Sequence, residues 1–413
     1  MRARWFSLGL LCGSLTTALV AVPAAQAAAG DVDAGYRKLR VFSQVLTYVQ
    51  QSYVDAVDAE GLIYDAIQGM LAHLDPHTTF LRPAEYEKLR EDTAGEFGGL
   101  GIEVGVSGEG DDAVVLVEAV HKDGPGAHAG LRAGDLVVGI DGESTRGTPL
   151  PHAVRLMRGV PGTRVVLTIL RAAWSKPRDV PLVRRQVRMP SVDGENLEAG
   201  SGGVVGYVAI SSFQERTDQE LGAKVTELRR QAREHGATFS GLVLDLRDNP
   251  GGLLDEGVKV ADRFLAGGVI VSTLGRNTRN NERSLAHADG TEPAYPLVVL
   301  VNGNTASASE IVAGALQDHR RAVVVGERSF GKGSVQTLFG LDDGAGLKLT
   351  IARYFTPSGR SIQDTGVVPD VVVRAGVAPV GPGAARGAAR VAADPQLAAA
   401  MAQVTRRPAA GKG

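Results

Sequence analysis

The stretch Pro296–Phe339 constrains the fold of this chain more than any other part of the sequence. It opens with a continuous apolar run, Leu297–Val301, which is too short for a helix and is typical of a buried strand. Small residues follow, then a helical pattern at Glu310–Gln317, a second apolar strand at Ala322–Val325 and a third at Val335–Phe339. This order of strand, tight turn, helix and strand predicts an α/β fold, in which ligands collect where the strands end.

Ser307 lies at the turn between the first strand and the helix, and Lys332 follows the second strand. Both residues are therefore expected at the same edge of the sheet. Ser307 has a structural alternative, because Ser307-Ala308-Ser309-Glu310 is a capping box whose serine can satisfy free amides of the helix. The two interpretations are compatible, since a helix N-terminus also offers amides and a positive dipole end to a developing oxyanion.

Lys332 also ends a segment with the pattern of a phosphate-binding loop. Gly326–Lys332 matches G-x-x-x-x-G-K, but Gly333 stands where Ser or Thr should bind magnesium, and a strand follows instead of a helix. Without a convincing histidine, the lysine itself can be the base of the serine if burial lowers its pKa, and Phe330 would suit such a dry pocket. In an extended strand Gln336 would share a face with Lys332 and orient its amine.

The stretch resembles the catalytic core of the carboxyl-terminal processing peptidases, or tail-specific proteases, a Ser-Lys serine protease family (peptidase family S41). The shared residues form three segments: Ser307–Glu310, Gly314–Asp318 and Phe330–Gln336. The resemblance implies that Ser307 is the nucleophile, that Lys332 is its base and that Gln336 completes the triad. Thr305 departs from the family, which often has another serine two positions before the nucleophile, but this change threatens nothing catalytic.

The turn Arg247–Gly252 follows another buried strand and resembles the D-L-R-x-N-P-G-G motif of the same family. In the family a glycine amide of this motif works with the amide after the nucleophile. The resemblance implies an oxyanion hole made by the backbone N–H of Gly251 or Gly252, together with that of Ala308. The structural alternative for the two glycines is tight-turn geometry.

Residues 97–187 differ from their surroundings, with short apolar strands, glycine turns and one clear helix at Pro149–Arg158. No G-x-G-x-x-G with its helix is present, which excludes the dinucleotide fingerprint. Gly130–Asp135 and Gly159–Thr163 make this segment resemble a PDZ domain. The loop Gly98-Gly99-Leu100-Gly101-Ile102 would then capture a peptide carboxylate with free amides, while the ligand adds a strand to the sheet. A plain β module that joins domains is the alternative.

The amino terminus has the pattern of a cleaved signal peptide over residues 1–27. Two arginines precede the apolar run Phe6–Val22, and Ala25-Gln26-Ala27 fits the small-x-small cleavage rule. An uncleaved membrane anchor is the alternative, although about 17 apolar residues is the lower limit for spanning a bilayer. We therefore expect a periplasmic or secreted protein. The one cysteine, Cys12, lies within this segment, so the mature chain has no disulfide.

The rest of the composition is that of an ordinary globular protein, with 44% hydrophobic and 22% charged residues. A formal net charge of −2 gives no indication of a nucleic-acid partner. The segment His73–Thr78 holds two histidines and an aspartate, but its Asp-Pro pair is typical of a helix end, and we expect neither a metal nor a cofactor.

The resemblance implies an α/β fold with a ClpP/crotonase-like protease core, an inserted, mainly-β PDZ domain and an N-terminal helical segment. Helical periodicity at Tyr36–Tyr53 and Leu62–Leu74 supports that segment. The predicted domains are a signal peptide at 1–27, the helical segment at 31–95, the PDZ domain at 97–187, the protease core at 188–373 with part of 31–95, and a low-complexity tail at 374–413 with one short helix at Asp394–Val404.

We expect a Ser-Lys-Gln endopeptidase that cleaves exported polypeptides and recognises their unstructured C-terminal tails through the PDZ domain. The first alternative is a non-catalytic peptide-binding scaffold, against which the complete set of Ser307, Lys332 and Gln336 argues. The second is a nucleotide-binding protein, which an export signal disfavours. Two further partners are a second copy of the chain, bound through the N-terminal helices, and an adaptor protein.

Overall fold

The computed structural model describes residues 21–108, 110–200, 202–376 and 387–406, with side chains from residue 36 onwards. These residues belong to two compact units, which divide the chain between residues 80 and 81. The predicted signal peptide lies outside the described residues up to residue 20, and residues 21–27 are helical. Within the described ranges, no helix combines the length and the apolarity that crossing a bilayer requires.

The first unit contains the helices α1 (Ala21–Ser52) and α2 (Ala59–Leu71), and strand β1 (Thr79–Leu81) begins at its end. Both helices lie where apolar periodicity predicts them. After α2, the Asp75 carboxylate accepts the backbone N–H groups of His77 at 2.8 Å and Thr78 at 2.9 Å, which makes this segment a hydrogen-bonded turn. Along α1, apolar side chains at helical spacing are exposed: Tyr36, Leu39, Phe42, Val45 and Tyr48.

The second unit opens with helix α3 (Pro83–Ala94) and strand β2 (Glu96–Gly99). An antiparallel module follows, made of β3 (Ile102–Ser107), β4 (Val114–Val120), α4 (Pro125–His128), β5 (Leu136–Ile140), β6 (Glu143–Ser144), α5 (Leu150–Met157), β7 (Arg164–Leu170) and β8 (Arg178–Val183). Its sheet has the order β3-β4-β5-β7-β8, with β6 beside β5. Among the strands described, β3 has a sheet neighbour on one side only, and α5 packs against it.

Strand β9 (Arg185–Arg188) leaves the module and pairs antiparallel with β2, so that entry and exit form a two-stranded ribbon. In this ribbon Gly99 lies opposite Arg185. Gly98 has no room for a side chain, since a Cβ there would lie 1.8 Å from the Gly159 carbonyl oxygen. The ribbon is thus packed closely against the turn that follows α5.

The central sheet and its helices make up most of the remaining chain. Their elements are β10 (Val192–Glu198), β11 (Gly203–Ile210), α6 (Thr217–Glu234), β12 (Thr238–Asp245), α7 (Leu254–Asp262), β13 (Val269–Gly275), β14 (Glu282–Leu285), β15 (Leu297–Val301), α8 (Ala308–Asp318), β16 (Val323–Gly326), β17 (Ser334–Gly340), β18 (Gly346–Phe355), β19 (Val371–Val372), α9 (Ala388–Ala393) and α10 (Pro395–Arg406). The sheet order is β10-β11-β12-β15-β16-β19, with all pairs parallel except β10 with β11. Parallel strands are buried on both faces and so appear as continuous apolar runs in a sequence.

Helices cover both faces of this sheet. Helices α6, α7 and α8 pack on one face, where Leu242 and Val299 point, and α10 packs on the other, where Val243 and Val298 point. The short helix predicted in the low-complexity tail therefore exists and is part of the hydrophobic core, which the composition did not indicate. The tail residues 377–386 and 407–413 lie outside the described residues.

A second, antiparallel sheet carries the segment after Lys332. Strand β18 pairs with β17 and with β13, which in turn pairs with β14. Strand β17 begins at Ser334, and its pairing with β18 shifts register between Val335 and Gln336. Residues of β17 line one cleft with Ser307, which follows the carboxyl end of β15.

Candidate active site

Ser307 lies at the turn between β15 and α8, with backbone angles φ 59° and ψ −119°. A positive φ is unfavourable for a residue with a Cβ and is often found at functional sites. Gly251 packs against this turn so closely that a Cβ there would come within 2.7 Å of the Ser307 Cβ. The turn at Ser307 and the turn Arg247–Gly252 therefore pack directly against each other.

The hydroxyl of Ser307 is left free by the helix that follows it. Ser307 and Glu310 have the arrangement of a capping box, but the Ser307 hydroxyl makes no cap hydrogen bond of normal geometry, and the Glu310 N–H donates to the Ser307 carbonyl oxygen at 2.9 Å. Ser309 is fully buried, and its hydroxyl donates to the Asn249 carbonyl oxygen at 3.1 Å. Of the two serines, Ser307 is the one that lines the cleft.

Glu310 connects the serine turn to the lysine segment. Its Oε2 accepts the backbone N–H groups of Ser307 at 2.8 Å and of Lys332 at 2.9 Å. Its Oε1 accepts the Ser329 hydroxyl at 2.5 Å and the Gly331 N–H at 2.7 Å. Burial raises the pKa of Glu310, and the four hydrogen bonds that its carboxylate accepts oppose this rise. One carboxylate oxygen thus fixes the backbone of both predicted catalytic residues.

Lys332 is half-buried, and its amine has no hydrogen-bond or ion-pair partner among the described residues. Burial lowers the pKa of Lys332, the positive charge of Lys348 lowers it further, and the Glu310 carboxylate opposes both. A lowered pKa favours the neutral amine, which is the form that can accept a proton from a serine. Phe330 is 61% exposed, so the prediction that it dries this pocket is wrong.

The predicted contact between Gln336 and the Lys332 amine is not formed. The Gln336 Nε2 donates to Ser334 Oγ at 2.7 Å and to Thr350 Oγ1 at 3.4 Å. The argument that both residues share a strand face fails, because β17 starts after Lys332 and its register shifts between Val335 and Gln336. Both side chains nevertheless line the same cleft.

The structure distinguishes between the two glycines proposed for the oxyanion hole. The Gly251 N–H donates to Asn249 Oδ1 at 2.9 Å and is therefore occupied. In the part of the chain that is described, the N–H groups of Gly252 and Ala308 donate no hydrogen bond. Both residues line the same cleft as Ser307.

Ser307, Lys332 and Gln336 line one cleft of about 550 Å³, together with Gly252 and Ala308. Apolar side chains make up much of its remaining wall: Leu89, Leu253, Leu254, Ile311, Val335 and Leu338. A few polar groups in an apolar cleft are typical of a site that orients an organic substrate.

A buried ionic network lies at the end of β12, and its members do not line the cleft. The Arg247 guanidinium donates to Asp245 at 2.6 Å and to Asp394 at 2.7 Å, and the Tyr207 hydroxyl donates to Asp245 at 2.8 Å. Burial alone would lower the pKa of Arg247, but the two carboxylates outweigh it and raise that pKa. The network joins the D-L-R turn to α10, so its role is structural.

The predicted carboxylate loop of the PDZ module is shorter than the sequence indicates. Gly98 and Gly99 belong to the ribbon strand β2, and the side chain of Leu100 is buried in the module core. Gly101 has φ 66° and leads directly into β3, which begins at Ile102. Among the described residues, the N–H groups of Leu100 and Gly101 find no acceptor. Two free amides therefore stand at the start of the edge strand.

Two structural residues of the site were not identified from the sequence. These residues are Glu310 and Asn249, which are both fully buried. Asn249 links the turn Arg247–Gly252 to the turn at Ser307. Its Nδ2 donates to the Ile210 carbonyl at 2.8 Å, and its own carbonyl accepts the Ala306 N–H at 3.0 Å. The capping box and the D-L-R-x-N-P-G-G motif contained both residues, but gave no sign of their partners.

Models of two protein families match the chain: peptidase family S41 over residues 204–373 and a PDZ domain over residues 116–171. A carboxy-terminal-processing protease of Bartonella bacilliformis is 44% identical over 338 residues, which are 82% of this chain and 75% of that protein. A carboxyl-terminal-processing protease of Synechocystis is 39% identical over 311 residues, or 75% of this chain and 70% of that protein. A solved photosystem II D1 C-terminal processing protease is 36% identical, with a TM-score of 0.47, and the match covers 81% of this chain and 86% of that one. The chain belongs to peptidase family S41 and is a serine-type peptidase with a PDZ domain.

Proposed function

We propose that this peptidase is an endopeptidase in which Ser307 is the nucleophile and Lys332 is the general base. The observation that carries the proposal is that Ser307 and Lys332 line the same cleft. The Ser307 hydroxyl makes no cap hydrogen bond, and the Lys332 amine has no partner among the described residues and a lowered pKa. Glu310 holds both backbones and so keeps the two groups in fixed register.

In acylation, the Ser307 O–H bond breaks, its proton passes to Lys332 Nζ, and Oγ forms a bond to the scissile carbonyl carbon. The carbonyl electron pair moves to oxygen, where the free amides of Gly252 and Ala308 stabilise the charge by about 3–4 kcal/mol each. The C–N bond then breaks, and Lys332 returns the proton to the leaving amine. In deacylation, water gives a proton to Lys332 and bonds to the acyl carbon; the bond from that carbon to Ser307 Oγ then breaks, and Lys332 returns the proton to Oγ. Gln336 supports the site through Ser334 and Thr350, since it does not hold the lysine amine.

The PDZ module supplies recognition of C-terminal tails in this proposal. Strand β3 is open on one side among the described strands, and the Leu100 and Gly101 amides at its start have no acceptor. A peptide can therefore add a strand beside β3 while its terminal carboxylate takes the two amides. Polypeptides with unstructured C-terminal tails fit this groove, because a folded tail cannot extend along a strand.

The compartment and the further partners are part of the same proposal. The signal-peptide pattern of residues 1–27 directs the enzyme to the periplasm or the exterior, with an uncleaved anchor as the alternative. The exposed apolar row on α1 is suited to a second copy of the chain or to an adaptor protein.

Cleavage of an unstructured peptide with a free carboxyl terminus tests the assignment of the nucleophile. Ser307→Ala should reduce kcat by about 10⁴-fold or more, because no other group can form the acyl-enzyme. Ser309→Ala is the matched control: it should retain most activity, since its hydroxyl faces Asn249. If Ser307→Ala kept wild-type cleavage, the assignment would be wrong.

A further inference from the structure

Tyr354 is a polar side chain of the cleft to which the mechanism above gives no role. It lies in β18, is 1% exposed, and lines the same cleft as Ser307 and Lys332. Its backbone N–H donates to the Gly333 carbonyl oxygen at 3.0 Å, which fixes the residue beside the lysine segment. Its hydroxyl is buried, yet no described residue offers it a hydrogen bond of normal geometry.

Two other tyrosine hydroxyls in the described part of the chain have partners. Tyr207 donates to Asp245 at 2.8 Å, and Tyr295 donates to Glu292 at 3.2 Å. A buried hydroxyl without a partner is unfavourable, and such groups in native proteins call for a functional explanation. Ser307 lines the same cleft, and a hydrogen bond from its side chain is one of the effects that lower the pKa of Tyr354. Because the Tyr354 oxygen is sealed from solvent, a substrate cannot reach it directly, and Ser307 is the group through which it can act.

We propose that Tyr354 is a positioning residue for the nucleophile, whose phenol O–H donates a hydrogen bond to Ser307 Oγ when substrate fills the cleft. This inference rests on the proposed Ser307–Lys332 mechanism. Catalytic hydrogen bonds are often long in a free enzyme and tighten in the Michaelis complex. A bond from Tyr354 turns the serine's own hydrogen toward Lys332 and stabilises the oxygen as its proton leaves.

Tyr354 keeps its proton throughout the reaction. Burial raises the pKa of Tyr354, and the nearby Glu310 carboxylate raises it further, so that the phenol stays neutral. It is therefore a donor and does not compete with Lys332 as a base. In acylation, the serine proton moves to Lys332 Nζ and Oγ bonds to the carbonyl carbon, while the phenol O–H bond remains intact.

Tyr354→Phe removes the hydroxyl alone and keeps the ring. We expect kcat for the free-tail peptide to fall about 10- to 100-fold with KM unchanged, in the range that one hydrogen bond to a developing charge contributes. Phosphonylation of Ser307 by a fluorophosphonate, in which Oγ bonds to phosphorus and fluoride leaves, should slow by a similar factor, because that reagent bypasses peptide recognition. Tyr295→Phe is the matched control, since it loses one tyrosine hydrogen bond outside the cleft and should leave both rates unchanged.

Stability and pH dependence separate positioning from a merely structural role. Loss of an unpartnered hydroxyl should leave the Tm of Tyr354→Phe equal to or above that of the wild type. The midpoint of the pH–rate profile should also stay in place, because Lys332 remains the base. A wild-type kcat in Tyr354→Phe would overturn the proposal. A fall in kcat that is matched by an equal fall in the fraction of enzyme that a fluorophosphonate labels at the end point would also overturn it.

Ser307→Ala distinguishes failure of this inference from failure of the proposed mechanism. If Ser307→Ala is inactive and unlabelled while Tyr354→Phe behaves as the wild type, the mechanism stands and the role of Tyr354 is refuted. If Ser307→Ala still cleaves, or the wild type neither cleaves nor labels, the proposed mechanism fails and Tyr354 has no nucleophile to position.

Discussion

Ser307 holds a backbone conformation that costs a non-glycine residue about 1–3 kcal/mol. The surrounding contacts impose it: Glu310 holds the Ser307 N–H, and Gly251 closes the space behind the turn. The strain places the hydroxyl in the cleft, whereas an ordinary N-cap serine would use it to satisfy the helix. Stability and catalysis therefore make opposite demands on this residue.

This strain predicts a difference in stability between two variants that lack the Ser307 hydroxyl. Ser307→Gly should unfold at a higher urea concentration than Ser307→Ala, by about 1 kcal/mol of unfolding free energy, because glycine accepts a positive φ without strain. Both variants lose the hydroxyl, so the comparison isolates the backbone term. Equal stability would show that the turn is not strained in solution.

Lys348 gives a second test at this scale. Because its positive charge helps to lower the pKa of Lys332, Lys348→Met should raise that pKa. In the proposed mechanism, activity requires neutral Lys332 and rises with pH through its pKa, so the rising limb of the pH–rate profile should move to higher pH. Lys224→Met, which removes a lysine paired with Glu227 on α6, is the control and should leave the limb in place.

At the scale of elements, α10 is held to the sheet by both packing and charge. Asp394 accepts the N–H groups of Gln396 and Leu397 at the start of α10 and also pairs with Arg247. Burial alone would raise the pKa of Asp394, but the Arg247 guanidinium outweighs burial and holds the pKa below its ordinary value of 3.8.

Asp394→Ala should therefore lower the free energy of unfolding by about 2 kcal/mol at pH 7, since it removes a helix cap and a buried charge-assisted hydrogen bond. A carboxyl whose folded pKa is depressed contributes stability above the unfolded pKa, and this contribution is lost as pH falls through the folded pKa. The gap between wild type and variant should thus narrow below about pH 3.8 in urea titrations. A gap that stays constant with pH would contradict the ionic part of this account.

The sequence predicted those elements whose burial leaves a direct pattern. The run Leu297–Val301 matches β15 because a parallel strand buried on both faces has no polar positions. The place of Gln336 could not be predicted, since a one-residue register shift before it moves a side chain to the other face. Three of the four partners of Glu310 lie 19 to 22 positions away in the Ser329–Lys332 segment, and local patterns do not report such contacts.

Helix α10 shows a second limit of prediction from the sequence. Leu397, Ala400, Met401 and Val404 have helical spacing, and all four are buried. Alanine- and glycine-rich flanks obscured this stripe, so the composition pointed to a peripheral tail. The spacing of apolar residues was the better guide to where α10 packs.

At the scale of the whole molecule, cleavage and tail recognition are assigned to different parts of one chain. The comparison of a free-tail peptide with the same peptide amidated tests this division. Losing the carboxylate charge removes a charge-assisted hydrogen bond worth about 1.5–3 kcal/mol, so KM should rise roughly 10- to 150-fold. Equal cleavage of both peptides would show that the enzyme does not read free carboxyl termini.

The ribbon permits a clean removal of the PDZ module. Gly99 lies opposite Arg185, so residues 100–184 can be replaced by an Asn-Gly hairpin turn. We expect this variant to fold, to react with a fluorophosphonate at Ser307, and to cleave the free-tail and amidated peptides equally. If it still preferred the free tail, the carboxylate would be recognised outside the module.

A ribbon that carries the chain both into and out of the module also has a meaning for the family's history. Because the two crossings are adjacent, recombination can exchange one peptide reader for another as a cassette, without altering the register of β15, α8 or the serine turn. In the proposed division of roles, selection can then change which polypeptides are cleaved while the chemistry of peptide-bond cleavage is inherited intact.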